Sequence, residues 1–434
     1  MIDAGGAFLG FVLMIALMFL GLHVATVIFG VGLIGAMLYL GTPIVYAFGN
    51  QLWGSMEDAV LLAIPLYILV GEILVRGGAT DRMYRSLSDW LNRLPGGLLH
   101  TNIAASALFS AVSGSSVATA ATISTVALPA FRQRRYDERM VLGSIAAGAS
   151  LGNLIPPGIA LIIYGAITNT SVGRLYAGAV IPGTLMALIF MATIVVLTWI
   201  RPSIAAEHEV QNPLAVRLQR LTDLLAPLFI FTVIMGSIYT GWATPTESAA
   251  LAVILSLPIA WAYGKLSARM LHECFVATMT LTAISMLILA VAFYLNFVLG
   301  LLGVTQALAN FVASLGTTQL QLLWTLLVFY LLLGIFFETL PMLVGTVPIV
   351  FPLVTAVGVD PVWFGVFIVL MCEISLISPP VGMTLYVIQA VRREGSINDV
   401  FRGTLPFFVA MILMAIVMIY WPELALWLPR LSFG

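Results

Sequence analysis

Apolar residues run almost without interruption along this chain, and the points where polar, charged, Pro or Gly residues interrupt them define its elements. In the first half, apolar segments cover 7–20, 23–40 and 58–75, the last two close to the ~20 residues an α-helix needs to cross a bilayer and the first shorter. A polar stretch follows at 77–95, where Met83, Leu87, Trp90, Leu91 and Leu94 recur near helical spacing among Arg82, Arg85 and Arg93. That pattern predicts an amphipathic arm lying at the membrane interface. From 98 to 131 the chain is apolar again, but Ser113, Gly114, Ser115 and Ser116 crowd its centre. Polar groups gathered midway predict a re-entrant helical hairpin with those residues at its tip; two plain helices packed through small residues are the alternative. The apolar segment 140–166 carries Gly152, Asn153, Leu154, Ile155, Pro156, Pro157 and Gly158 in its middle. Paired prolines lack backbone donors and clash with the preceding turn, so this helix must break. A helix at 177–199 closes the half.

A hydrophilic linker at 201–222, with Glu207, His208, Glu209, Arg217 and Arg220, leads to a second half in the same order. Segments at 223–240, 245–263 and 275–300 precede an uncharged interfacial stretch at 303–321. A hairpin is predicted at 322–353, holding Glu338, Thr339, Pro341, Gly345, Thr346, Pro348 and Pro352, then a broken segment at 362–391 and a last helix at 404–421. A shift of 223 residues carries Pro129 onto Pro352, Pro156 and Pro157 onto Pro379 and Pro380, and Gly77 onto Gly300. One offset that aligns hairpin and break predicts two structural repeats, 1–200 and 223–434.

Composition makes the class firm. Of 434 residues, 61% are hydrophobic and 9% charged, against about half apolar and a quarter charged in soluble domains. The expectation is an all-α polytopic membrane protein of ten crossings and two hairpins. Cys274 and Cys372 lack ligand spacing, as do His23, His100, His208 and His272, so neither a disulfide nor a metal cluster is favoured. The start of the chain lacks a basic signal-peptide region, and its first apolar segment is expected to remain as a helix. With the N-terminus outside, 16 of the 18 Lys and Arg residues fall on inner loops, Arg135 among them, and only Arg174 and Arg430 fall outside. This positive-inside balance predicts both termini on the outer face. An odd number of crossings per repeat then turns the second copy upside down. Inverted repeats with hairpins and broken helices are the signature of secondary transporters. A channel would need a charged ring or filter, and an enzyme a nucleophile with its base; the sequence offers neither, and nothing in it points to nucleic acid.

Two half-helices meeting at a break present free carbonyls at one end and free N–H groups at the other, with the helix dipole adding partial charge of each sign. Carbonyls and hydroxyls suit a hard monovalent cation, and N–H groups an anion. The first cation candidates are Ser113, Gly114 and Ser115 at the tip with Gly152, Ile155 and Pro156 at the break. The second are Glu338 and Thr339 with Ser375, Ser378, Pro379 and Gly382. Ser115, Ser116 and Asn153, with Thr339, Pro341 and Thr384, are the substrate candidates between them. For any single Ser or Thr the simpler reading is a bond back to its own helix. Glu338 at the second tip and Glu373 before the second break are candidate proton or cation sites by their depth, with structural hydrogen bonding as the alternative. Glu72, four residues before Arg76, reads as a helix-surface ion pair. Thr244, Pro245 and Glu247 read as a capping box opening a helix.

Four stretches carry a family resemblance: Ala-Val-Ser-Gly-Ser-Ser-Val-Ala-Thr-Ala at 111–120, Gly-Asn-Leu-Ile-Pro-Pro at 152–157, Gly-Trp-Ala-Thr-Pro-Thr-Glu at 241–247 and Ile-Ser-Pro-Pro-Val-Gly at 377–382. In this order they resemble the large membrane subunit of TRAP transporters, the tripartite ATP-independent periplasmic family, over essentially the whole chain. The resemblance implies an elevator-type importer of organic acids in a bacterial or archaeal inner membrane, coupled to sodium ions. It also implies two partners, a small four-helix membrane subunit and a soluble periplasmic substrate-binding protein. Because the chain starts at the large subunit's first helix, the small subunit is expected as a separate polypeptide. By the same resemblance the two tips and the two Pro-Pro breaks form sodium sites beside the substrate. Glu338 stands where the family usually has Asp, and Ser375 and Ser378 where Gly and Thr are common. A self-sufficient sodium- or proton-coupled carrier without partners is the alternative.

Overall fold

The computed structural model describes residues 4–41, 43–132, 134, 136–205, 212–304, 306, 307, 310 and 316–433, all helix and connection with no strand among them. Glu207, His208, Glu209 and Arg135 lie outside the described residues. The first half begins with α1 (Ala4–Phe19) and α2 (Val24–Leu40). A helix that hydropathy does not announce follows, α3 (Pro43–Met56). Gly49, Asn50, Gln51 and Gly54 dilute its apolar character, yet Phe48 anchors it against Phe29 and Tyr294, with ring centroids at 4.8 and 5.0 Å.

Next come α4 (Ala63–Arg76) and the arm α5 (Ala79–Leu91). The arm is amphipathic as its spacing requires: Met83 and Tyr84 are buried while Arg82 and Arg85 are exposed. Leu94 lies past its end and is exposed. Two helices, α6 (Leu98–Ser113) and α7 (Ser116–Arg132), form the first hairpin, and α8 (Glu138–Ala149) and α9 (Ile159–Thr168) are the halves of the first broken helix. The half ends with α10 (Val172–Ile200), which starts five residues earlier than its apolar run because the Ser171 side chain caps it.

The linker holds the short α11 (Leu214–Arg220), where Arg217 is buried with its guanidinium 4.4 Å over the Trp90 ring of the arm. Then come α12 (Leu225–Tyr239), α13 (Pro245–Ala262) and the long α14 (Ala268–Leu302). The capping box at α13 is complete: Thr244 Oγ1 accepts from Glu247 N at 3.3 Å, and Glu247 Oε2 accepts from Thr244 N at 2.7 Å. The Glu72–Arg76 pair also forms, at 3.0 Å, and Arg76 reaches Glu273 of α14 at 2.9 Å. The second hairpin is α15 (Gln319–Gly334) with α16 (Thr339–Ala356); the second broken helix is α17 (Pro361–Leu376) with α18 (Met383–Arg392). The chain closes with α19 (Ile397–Tyr420) and a short α20 (Glu423–Phe433) that packs on α10.

Moved 223 positions, the starts of α7 and α8 fall on the starts of α16 and α17, that of α9 one residue before α18 and that of α6 two residues after α15. Among the described residues, seven helical stretches are long and apolar enough to cross a membrane. One packed group joins α2, α4, α13 and α14; another interleaves the halves, with α8 against α6 and α19, α7 against α18, and α9 against α16. Charge fastens this second group at one end. Arg392, almost fully buried, meets Glu138 at 2.8 Å and Asp399 at 3.4 Å, and Arg139 meets Asp399 at 3.1 Å.

Candidate functional site

The site is built at the junction of the first hairpin tip with the first break. Gly114 ends α6 in the left-handed region (φ 60°), a conformation in which a Cβ would be strained. Here that Cβ would also run into the Pro157 carbonyl. The absence of a side chain lets the tip sit directly on the break, and the Gly114 carbonyl accepts a hydrogen bond from Ile159 N at 3.1 Å. Gly152 does the same from the other side, since its added Cβ would overlap the Ser116 backbone.

Asn153 stitches the pieces together. Its Oδ1 accepts from Ala160 N at 3.4 Å, bridging the two half-helices, and its Nδ2 donates to Ser116 Oγ at 3.1 Å. The same Nδ2 donates to Glu373 Oε1 at 2.7 Å, and the Ser116 hydroxyl donates to Glu373 Oε2 at 2.6 Å. Glu373 lies on α17, in the other half of the chain, and is fully buried. Hairpin tip, break and a carboxylate from the second half therefore meet at one point. Sequence reasoning singled out Glu373 only for its depth; the signal that could have placed it is its being the sole charged residue in the apolar run of α17.

Other predicted residues divide. Ser113 is buried and its Oγ has no partner among the described residues. The carbonyls of Gly152, Ile155 and Pro156 accept no hydrogen bond from any described residue. Ser115 is half-buried and serves the turn, with its Oγ accepting from Ala118 N at 3.4 Å and its carbonyl from Thr119 Oγ1 at 2.7 Å.

At the second junction Thr339 and Pro341 are buried, and Thr339 Oγ1 has no partner among the described residues. Glu338 is the N-cap residue of α16, but its side chain makes no capping bond. Ser375 donates back to Cys372 O at 2.6 Å, and Ser378 O accepts from Gly382 N at 2.9 Å. Thr384 Oγ1 donates across the break to Leu376 O at 2.6 Å, so more of the acceptors here are already used. The two breaks also differ in cover. Residues 150–158 are buried apart from half-buried Ile155, whereas Pro379, Pro380 and Val381 are exposed. Cys274 and Cys372 are free thiols and buried.

No group of three or more His, Cys, Asp and Glu among the described residues could hold a metal ion. An orphaned buried hydroxyl and unused carbonyls at the junction, together with a carboxylate bound to the tip and the break, are oxygen ligands of the kind a hard cation takes. Comparison with known proteins gives the family. The family model for the DctM component of the tripartite ATP-independent periplasmic transporter matches residues 11–424. The sialic acid TRAP transporter large permease SiaM of Vibrio cholerae is 31% identical over 97% of each chain. The C4-dicarboxylate large permease DctM of Pseudomonas aeruginosa is 32% identical, covering 92% of this chain and 93% of its own. The isethionate permease DctMQ of Oleidesulfovibrio alaskensis is 30% identical, covering 85% of this chain and 58% of its own. Among solved structures, the YdaH transporter of Alcanivorax borkumensis superposes with a TM-score of 0.61 at 16% identity, covering 89% of each chain, a likeness of fold.

Proposed function

Because the chain belongs to the DctM family of tripartite ATP-independent periplasmic transporters, we propose that it imports a small organic anion across the bacterial inner membrane, coupled to sodium. The substrate class is a carboxylate, sugar acid or sulfonate: the relatives above are named for sialic acid, C4-dicarboxylates and isethionate, which share an acid group and little else. In this reading a small membrane subunit and a periplasmic binding protein work with the chain, the binding protein delivering the anion.

The observation that carries the proposal is the first tip–break junction, where the buried Ser113 hydroxyl and the carbonyls of Gly152, Ile155 and Pro156 have no partner among the described residues, and Ser116 and Asn153 bind a buried carboxylate. Ser113, Gly114, Ser115, Gly152, Ile155 and Pro156 would hold one sodium ion. Glu338, Thr339, Ser375, Ser378, Pro379 and Gly382 would hold a second. Ser115, Ser116, Asn153, Thr339, Pro341 and Thr384 line the anion's place between them. The two halves act as inverted repeats of 1–200 and 223–434, with the linker cytoplasmic and both termini outside. The hairpin and broken-helix group moves as one body against the group of α2, α4, α13 and α14, an elevator movement that carries the midplane site from face to face.

The test is uptake into proteoliposomes holding this chain with its small subunit. Labelled sialic acid, succinate and isethionate are each offered with the cognate binding protein, in sodium or in choline. Uptake of one acid that requires sodium and the binding protein is expected. Transport indifferent to sodium would overturn the coupling, and robust uptake by this chain alone would favour a self-sufficient carrier.

A further inference from the structure

The Glu373 carboxylate has no role in the neutral tip–break cradle as the sequence describes it. It is fully buried, and each of its oxygens receives one hydrogen bond, from Asn153 and from Ser116, both neutral donors. No Lys, Arg or His among the described residues pairs with it, although nine ion pairs form elsewhere among them. Buried charges in proteins are paired or coordinate an ion, and carboxylates at membrane depth mark ion pathways. The two donors it meets are the chain neighbours of the cation candidates: Ser116 follows Ser115 at the tip and Asn153 follows Gly152 at the break, where the Ser113 hydroxyl and the carbonyls of Gly152, Ile155 and Pro156 have no partner among the described residues.

We propose that Glu373 supplies the negative charge of the first cation site, reaching it from the opposite half of the chain. The inference rests on the sodium-coupling reading and adds to it a named charge and an asymmetry. In the first half the position 223 residues before Glu373 is Ser150, whose hydroxyl is consumed by Ala147 O at 2.8 Å and Met411 Sδ at 3.5 Å. One junction therefore carries a formal charge from the partner half, and the other receives none in return. A single carboxylate with carbonyl and hydroxyl ligands neutralises one monovalent ion. Holding the tip through Ser116 and the break through Asn153, that charge also ties cation occupancy to closure of the junction.

The experiment follows thermal unfolding of the purified full chain by tryptophan fluorescence as NaCl replaces choline chloride at constant ionic strength. Wild type is expected to be stabilised in a saturable way. Glu373→Gln preserves size and removes charge, and it should raise half-saturating sodium at least about tenfold, as expected for loss of one near, poorly screened charge. Glu373→Asp keeps the charge one methylene further away and should raise it by only about threefold. If Glu373 were merely a hydrogen-bonded clamp, the order would reverse, with the shortened Asp worse than the isosteric Gln, and the proposal would fall. It falls equally if Gln binds sodium like wild type within twofold. A wild type blind to sodium would remove the coupling reading itself, and this proposal with it; a sodium-responsive wild type with an unaffected Gln variant removes this proposal alone. Should the Gln variant not yield folded protein, unchanged half-saturation in the Asp variant overturns the assignment.

Discussion

Replacing Gly152 by Ala perturbs one contact and nothing else. The new Cβ would overlap the backbone N and Cα of Ser116 and stand 2.5 Å from its Oγ, where ordinary contact begins at 3.4 Å. Backbone cannot swing aside as a side chain does, so tip and break must separate by about 1 Å to restore normal contact. The Asn153–Ser116 hydrogen bond, 3.1 Å at rest, then stretches past bonding range, and the Gly114–Ile159 bond of 3.1 Å is strained with it. Overpacking costs about 1–3 kcal/mol and a buried donor left unmet about 1–3 more, so the variant should lose about 2–5 kcal/mol, or several degrees of melting temperature. Sodium-dependent stabilisation should weaken with it. Gly300→Ala is the matched control: it lies within α14, nothing stands within 4 Å of its added Cβ, and Ala is the better helix former, so it should be neutral or slightly stabilising. Fluorescence-detected melting of both variants, with and without sodium, reads the difference. Gly152→Ala melting like wild type with an intact sodium response would mean that the tip does not rest on the break.

Asn153→Ala removes the stitch between the half-helices and one of the two donors to Glu373; a loss of about 1–3 kcal/mol is expected for the unmet carboxylate, together with weaker sodium dependence of uptake. Arg392→Met preserves volume but abandons Glu138 and Asp399. Because both acids retain solvent, the cost should be about 1–2 kcal/mol, seen as a lower melting temperature with half-saturating sodium unchanged. Thr244→Ala breaks the capping box of α13 and should cost about 1 kcal/mol in the same melt without touching the sodium response.

How much of this the sequence disclosed follows from which forces were local. The Pro pairs at 156–157 and 379–380 stop helices through their own rings, and Gly114 and the serines mark a tip through their own chemistry, so these features can be read without knowing the neighbours. Helices α3 and α20 escape the hydropathy pattern because Gly, Asn and Gln in one and Glu423, Pro429 and Arg430 in the other lower their apolar content; they are held by packing on α14 and α10. The Glu373 contact is a different matter. It joins positions 257 and 220 residues apart, and no periodicity or spacing encodes which distant donors a lone carboxylate meets. The difference in cover between the two breaks is likewise tertiary, since both carry the same Pro pair.

The cross-half reach of Glu373 has a consequence for biosynthesis. Asn153 and Ser116 leave the ribosome 220 and 257 residues ahead of their carboxylate, an interval on the order of 10–50 s at cellular rates of synthesis. During that time the bonds internal to the first half, Asn153 to Ser116 and Ile159 to Gly114, have all their partners, but the carboxylate that joins tip and break to the second half has not been made. The first half is thus made as a receptor for the second, and completion of the three-way junction is a late event that marks a chain whose α17 has arrived.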